Sequence, residues 1–315
     1  MYRQHFGLRH KPFELTPDGR ALFLSESHKE ALSVLQYGVV SNKGYLLLTG
    51  GIGTGKTTLL YVLTTNLDCS YHLCLLTNPA LEIADFYYYV GERLGLPFDG
   101  NKAKFLIQFA EFVTKCRKEK SRILIIIDEA HALPLNIFQE IRFLSNLPPE
   151  DQAILSIFLV GQPELLDRLA DERLLPLRQR IAIRFHIEPL TLQDTKDYIL
   201  FRLDRAGASS RNIFTEKALE RVYRETGGNP RLINILCDNA LVSAFAADEL
   251  AIDERIIRSC ADEMILPRER KGGFLKKLRK SINPWWVAVA VLLCAVEIVG
   301  FYMGGIINNM LRFIF

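Results

Sequence analysis

Tyr45-Leu46-Leu47-Leu48-Thr49-Gly50-Gly51-Ile52-Gly53-Thr54-Gly55-Lys56-Thr57-Thr58 is the stretch that decides how this chain is read. A short apolar run leads straight into the pattern GxxxxGK(S/T), and helical periodicity follows it. A strand, a glycine-rich loop and a helix in that order make a phosphate cradle. The glycines let the loop wrap an anion with its backbone N–H groups turned inward. The helix that begins near Lys56 aims its positive end at the same place. Gly50, Gly51, Ile52, Gly53, Thr54, Gly55, Lys56, Thr57 and Thr58 are therefore the expected nucleotide-binding residues. Lys56 is expected on the β- and γ-phosphates of ATP, and Thr57 as a ligand of Mg2+. The competing reading, a glycine turn without function, does not account for the strand and helix around it.

Ile123-Leu124-Ile125-Ile126-Ile127-Asp128-Glu129 supplies the second half of the chemistry. Five apolar residues form a buried strand ending in two carboxylates, and open parallel sheets bind ligands at the carboxyl ends of their strands. Asp128 is expected to bind Mg2+, mainly through water. Glu129 is expected to act as the general base on the attacking water. Asp128-Glu129-Ala130-His131 also spells DEAH, but the other motifs and the second motor lobe of a helicase are missing. His131 reads as structural, or as a support behind the carboxylates.

Further apolar runs, Leu73–Thr77, Leu155–Val160 and Ile183–Ile187, read as buried strands. They alternate with helical segments 57–66, 83–94, 103–119 and 136–146, the pattern of a parallel sheet covered on both faces. From Thr191 the pattern is helical throughout, with candidate helices 192–206, 215–226, 230–247 and 253–265. Thr215 and Asp253 look like helix starts, and Gly227-Gly228-Asn229-Pro230 is a strong break.

The 315 residues carry a formal charge of +3, unevenly placed. Residues 268–280 hold a local +6, and the first 267 residues a net −3. That body shows no global basic footprint for nucleic acid. The basic cluster precedes the apolar run Trp285–Ile307, 23 residues with one charge, Glu297. As a helix this run would be about 35 Å long, enough for a hydrocarbon core of about 30 Å. Trp285 and Trp286 suit the headgroup level, and the basic flank predicts a cytoplasmic body with a short tail outside. A buried core helix or a hairpin in one leaflet is the competing reading. Glu297 could pair with a partner helix, and Gly300, Gly304 and Gly305 form a small-residue stripe suited to helix contact. Six scattered cysteines without a CxxC pair exclude a zinc ribbon and fit reduced thiols.

The chain resembles the AAA+ secretion ATPases of the general secretion pathway protein A type, with more distant similarity to transposition ATPases of the TniB kind. The resemblance is carried by Phe6-Gly7-Leu8, Lys11-Pro12-Phe13, Phe23-Leu24-Ser25, His28, the glycine loop and Asp128-Glu129-Ala130. It continues through Leu159-Val160-Gly161-Gln162-Pro163-Glu164-Leu165, Leu177-Arg178-Gln179-Arg180-Ile181 and Gly227-Gly228-Asn229-Pro230-Arg231, covering roughly residues 1–266. It implies that Gln162 occupies the sensor-1 region, near the γ-phosphate or attacking water. Arg231 then stands at the sensor-2 position of the lid. Arg178 or Arg180, with Arg180 favoured, supplies a finger to a neighbour's nucleotide. Phe6, Pro12 and Phe13 lie near the adenine or simply pack a core.

The family usually has an acidic residue where Gly51 stands, and continues past its membrane span into a periplasmic peptidoglycan-binding domain. Here Asn308–Phe315 follow the span, so the layout looks like a shorter relative. The implied organisation is α/β: a P-loop AAA+ parallel-sheet core (1–190), a helical lid (191–266), a basic linker (267–283), one transmembrane helix (284–307) and a periplasmic tail (308–315). The implied partners are copies of itself in a ring, with a hexamer expected, the bacterial inner membrane and a membrane protein of an export system. Nucleic acid is not an expected partner. Two other readings stand beside this: a DNA-binding AAA+ regulator of the transposition type, and a nucleotide-dependent membrane switch.

Overall fold

The computed structural model describes residues 2–14, 23–41, 44–68, 70–78, 81–148, 151, 153–208, 210 and 212–264. The basic cluster, the apolar run Trp285–Ile307, Glu297 and the glycine stripe lie outside the described residues. Among the described residues, no helix is long and apolar enough to cross a membrane.

Five strands, β1 (Tyr45–Gly50), β2 (Tyr71–Leu76), β3 (Arg122–Ile127), β4 (Leu155–Gly161) and β5 (Ile181–Ile187), lie in the order β2-β3-β4-β1-β5. Every pairing among them is parallel. The apolar runs that mark the central strands are buried on both faces, so neither face alternates with polar residues. Ile123, Ile125 and Ile127 of β3 join Leu47, Ile157 and Leu159 on one face, under α4 (Ile83–Leu94), α5 (Lys102–Glu119) and α6 (Leu135–Leu144). Leu124 and Ile126 join Leu46, Leu48, Phe158 and Val160 on the other, under α2 (Glu26–Val40) and α3 (Lys56–Thr65). β5 departs from the expected continuous burial: only its two end residues are buried, because an edge strand has one neighbour.

Two short helices, α7 (Glu164–Leu169) and α8 (Leu175–Arg180), join β4 to β5. Beyond β5 come α9 (Leu192–Arg205), α10 (Glu216–Thr226), α11 (Pro230–Ala246) and α12 (Glu254–Glu263). Each starts at a side chain suited to the free N–H groups of a first turn. Thr191 and Asp194 form a reciprocal capping box on α9. Thr215 caps α10 and Asp253 caps α12, as their positions in the sequence predict. Asn229 caps α11, with Pro230 at its first position, where no N–H is needed.

These helices share a core with the opening of the chain. Tyr2, Phe6, Leu8 and Phe13 are buried among Ile199, Leu219, Ile233, Leu236 and Ile257. Tyr2, in the short helix α1 (Tyr2–His5), donates its hydroxyl to Asp238 Oδ1 at 2.6 Å. Arg202 donates to the carbonyls of Pro12 and Glu14 at 2.5 and 2.8 Å. Phe6 and Phe13 therefore do pack a core. Residues 2–14 thus pack with the helices rather than with the sheet, because four large apolar side chains find their complement there.

Candidate active site

The glycine loop leaves the carboxyl end of β1, and α3 starts directly after it with Gly55 in the left-handed region at φ 89°. Lys56 is 5% exposed. Its Nζ donates to the carbonyls of Gly50 and Gly51, each at 2.8 Å. Burial lowers the Lys56 ammonium from its ordinary value, while Glu129, Asp128 and Glu164 act to raise it. This is an ammonium removed from water, with three carboxylates acting on it. A Cβ in place of Gly51 would meet only the Thr54 methyl at 3.5 Å, so glycine is not a steric requirement at this position of the loop.

β3 ends beside β1's neighbour β4 and delivers both carboxylates to the loop. Thr57 Oγ1 donates to Asp128 Oδ2 at 2.7 Å, joining two residues 71 positions apart. Asp128 is 3% exposed. Its other oxygen accepts the Glu129 N–H at 2.9 Å. Glu129 has φ 53°, a left-handed backbone that is uncommon outside glycine and that turns the chain into the short helical turn Ala130–Ala132. Strained backbone of this kind costs on the order of 1–3 kcal/mol and persists where its surroundings fix it.

Those surroundings are visible. Gln162, just past β4, donates its amide to Glu129 Oε2 at 3.4 Å. The same amide nitrogen lies 2.9 Å from His131 Nε2, and the Gln162 backbone N–H donates to His131 Nδ1 at 3.4 Å. His131 Nε2 is 3.5 Å from Glu129 Oε2. His131 therefore links Glu129 to Gln162, the supporting role left open by the DEAH spelling. Gly161 makes room for this approach, since a Cβ there would fall 3.1 Å from the His131 backbone nitrogen.

The structure thus brings Gly50–Thr58, Asp128, Glu129 and Gln162 together at the carboxyl ends of β1, β3 and β4. Arg231 lies beside them: its Cβ would be 2.6 Å from a Cβ placed on Gly53. Arg178 and Arg180 are elsewhere. Arg178 donates to the Ala170 carbonyl at 3.4 Å, and Arg180 to the carbonyl and hydroxyl of Ser145 at 3.2 and 3.0 Å. Arg180 immediately precedes Ile181, which pairs with Tyr45 at the amino end of β1, opposite the loop.

Two side chains at the loop go beyond the expected set. His28 Nε2 meets the Thr54 carbonyl at 2.8 Å, and its Nδ1 meets Ser25 Oγ at 2.6 Å. A carbonyl only accepts, so Nε2 carries the proton and the Ser25 hydroxyl donates to Nδ1. Burial lowers the His28 imidazole from its ordinary value, against the Thr54 carbonyl and Asp194, and the neutral ring is the form this geometry needs. Asn229 donates to the Ile52 carbonyl at 2.5 Å. Both residues stand in motifs quoted above, but nothing local in those motifs reveals a partner carbonyl 26 or 177 positions away.

The AAA domain family model matches residues 39–169. General secretion pathway protein A of Aeromonas hydrophila is 39% identical over 295 residues, covering 91% of this chain and 54% of that protein. The chain spans about half the length of that relative. An uncharacterised HTH-type transcriptional regulator of Methanocaldococcus jannaschii is 30% identical over 139 residues, 43% of this chain and 33% of that protein. Cdc6p from Pyrobaculum aerophilum superposes with a TM-score of 0.61 at 17% identity, over 80% of this chain and 70% of that one. The ORC2 protein of Aeropyrum pernix, in its ADPNP–ADP complexes, gives 0.57 at 16% identity, over 81% and 71%. At those identities the likeness is one of fold. Identity that runs through both the AAA domain and the helical unit makes this chain similar, over 91% of its length, to general secretion pathway protein A, with an AAA domain at residues 39–169.

Proposed function

We propose that the chain is a membrane-anchored ATPase that hydrolyses ATP between subunits to assemble or remodel a bacterial envelope export machine. The observation that carries the enzymatic part is the 2.7 Å contact of Thr57 Oγ1 with Asp128 Oδ2, beside a buried Lys56 and within reach of Glu129. The donor set fits Mg2+: a hydroxyl and a carboxylate are both hard oxygen ligands, and here they already meet. When bound, Mg2+ supplies charge neutralisation and orientation at the β- and γ-phosphates. Lys56 exchanges the carbonyls of Gly50 and Gly51 for phosphate oxygens. The loop N–H groups and the first turn of α3 bind the same phosphates. Glu129 accepts the proton of the attacking water, Gln162 orients that water, and Arg231 meets the phosphates from the lid.

Arg180 acts on a neighbouring subunit in this reading, since it sits at the far end of its own sheet; Arg178 shares the segment. A guanidinium fork suits charge developing on a transferring phosphoryl group. A ring of identical subunits, hexameric by expectation, follows from a finger that works in trans. Similarity to a general secretion pathway protein supports the export role. The apolar run within 284–307, its tryptophans and the basic residues 268–280 support an anchor in the inner membrane with the ATPase unit in the cytoplasm.

The test is a trap. Full-length Glu129→Gln, expressed in its native membrane, should bind ATP and hydrolyse it slowly; Lys56→Ala serves as the empty control. After crosslinking, envelope proteins enriched only with Glu129→Gln support the proposal and name the machine. A transposase or DNA in their place, or equal ATP turnover by Lys56→Ala and the unaltered chain, would sink it.

A further inference from the structure

We infer that Asn229 is a positioning residue that fixes one peptide plane of the phosphate loop and reports the loop's occupancy to the helical unit; the second half rests on the ATP-binding reading above. Four carbonyls of the loop accept from side chains. Those of Gly50 and Gly51 accept from Lys56, that of Gly51 also from Thr54 Oγ1, and that of Thr54 from His28. These donors stand on the loop, on α3 or on α2, all packed with the sheet. The carbonyl of Ile52 differs, because its donor Asn229 belongs to the first turn of α11 in the helical unit.

The Asn229 amide is used at both ends. Oδ1 accepts the N–H groups of Arg231 and Leu232 at 3.0 and 3.2 Å, which caps α11. That leaves the NH2 to face Ile52, so the network itself sets the orientation of the amide. Contact is close on this side. Gly53, at φ 75°, leaves no space for a Cβ, which would fall 2.9 Å from Asn229 Oδ1. The turn before Asn229 is itself anchored, because the Leu190 N–H donates to the Gly228 carbonyl at 2.9 Å.

The carbonyl of Ile52 and the N–H of Gly53 share one planar peptide and point in opposite directions. Fixing the carbonyl toward Asn229 therefore fixes the Gly53 N–H away from it, into the loop. His28 does the same for the Thr54–Gly55 peptide from a helix that is part of the sheet unit. Asn229 does it from a unit with its own core, and coupling of this kind is reciprocal. A phosphate that orders the loop tightens its hold on α11, and loosening Asn229 weakens the phosphate site.

Asn229→Ser retains a good cap but is too short to reach Ile52. Asn229→Asp retains the cap and replaces the donor with an acceptor. In the nucleotide-free full-length chain, both variants should keep the melting temperature while amide exchange accelerates at residues 51–55. Both should bind a non-hydrolysable ATP analogue with Mg2+ about fivefold more weakly, the worth of one hydrogen bond. Both should also lose the analogue's protection of residues 230–236. Unchanged loop exchange in both variants overturns the tie, and unchanged affinity with intact protection of α11 overturns the report. If the unaltered chain and Lys56→Ala alike bind no analogue, the ATP reading falls and the report with it, while exchange without nucleotide still decides the tie.

Discussion

Lys56, Thr57 and Asp128 stand on elements locked into the parallel sheet, whereas Asn229 and Arg231 stand on the first turn of a helix whose core is separate. The sheet side includes a buried lysine, a buried carboxylate and their hydrogen bonds to the loop and to Thr57. The lid side reaches the loop through one amide and one close van der Waals approach. The contrast separates two tasks. Groups that must be in place before reaction are fixed by strands, where displacement would open cavities on both faces. Groups that must respond to the ligand sit where a single hydrogen bond sets their position.

The largest expected effect strikes the sheet side. Glu129→Gln should lower the turnover number roughly 10²- to 10⁴-fold, the usual contribution of a general base, and leave ATP affinity near that of the unaltered chain. Steady-state kinetics beside equilibrium binding separate the two. A fall in affinity of similar size would show that Glu129 holds the nucleotide and would remove the division of labour.

The next prediction tests whether the cores are distinct. Ile126 is wholly buried in the sheet and Leu236 in the helical unit. Truncation of either to alanine should cost about 2–5 kcal/mol. Leu236→Ala should speed amide exchange across residues 192–263 and in residues 2–14, with β3 little changed; Ile126→Ala should do the reverse. Equal acceleration everywhere would make the two cores one cooperative unit.

The smallest effect concerns His28. Its imidazole is held below the ordinary 6.5 by burial, so the unfolded chain takes up the proton first as pH falls. Above about 6.5 neither state binds it and stability is unaffected. Below that, stability should decline with a slope of at most about 1.4 kcal/mol per pH unit. His28→Gln, whose amide can still donate to the Thr54 carbonyl, should flatten this acid limb in melting curves between pH 7.5 and 5.5. A limb of unchanged slope would assign it to other groups.

Much of the sheet is legible in the sequence because its central strands are continuous apolar runs: β3 is observed at Arg122–Ile127 where Ile123–Asp128 reads as a strand. The lid helices are equally plain, since Thr215, Asp253 and the Gly227–Pro230 break mark their ends. The alternation of runs begins at Tyr45 and so passes over α2, whose buried residues Ala31 and Leu35 are interleaved with others of mixed character. At the site, the loop and the paired acids are legible because each is contiguous in the chain. The contacts of His28 with Thr54 and of Asn229 with Ile52 are not, because each joins partners brought near only by folding, whereas His131 is legible as a support since it stands two residues from Glu129.

The opening segment has a consequence for how the molecule is made. Tyr2 pairs with Asp238 across 236 positions, and Tyr2, Phe6, Leu8 and Phe13 lie in a core whose other buried members come from residues 190–261. A ribosome releases the first of these groups long before the last. The sheet unit, complete by Ile187, can close while synthesis continues, whereas Tyr2, Phe6 and Phe13 must wait in solvent or in a chaperone until α11 emerges. The earliest residues made are among the latest to find their places, and the helical unit is complete only when its two ends have met.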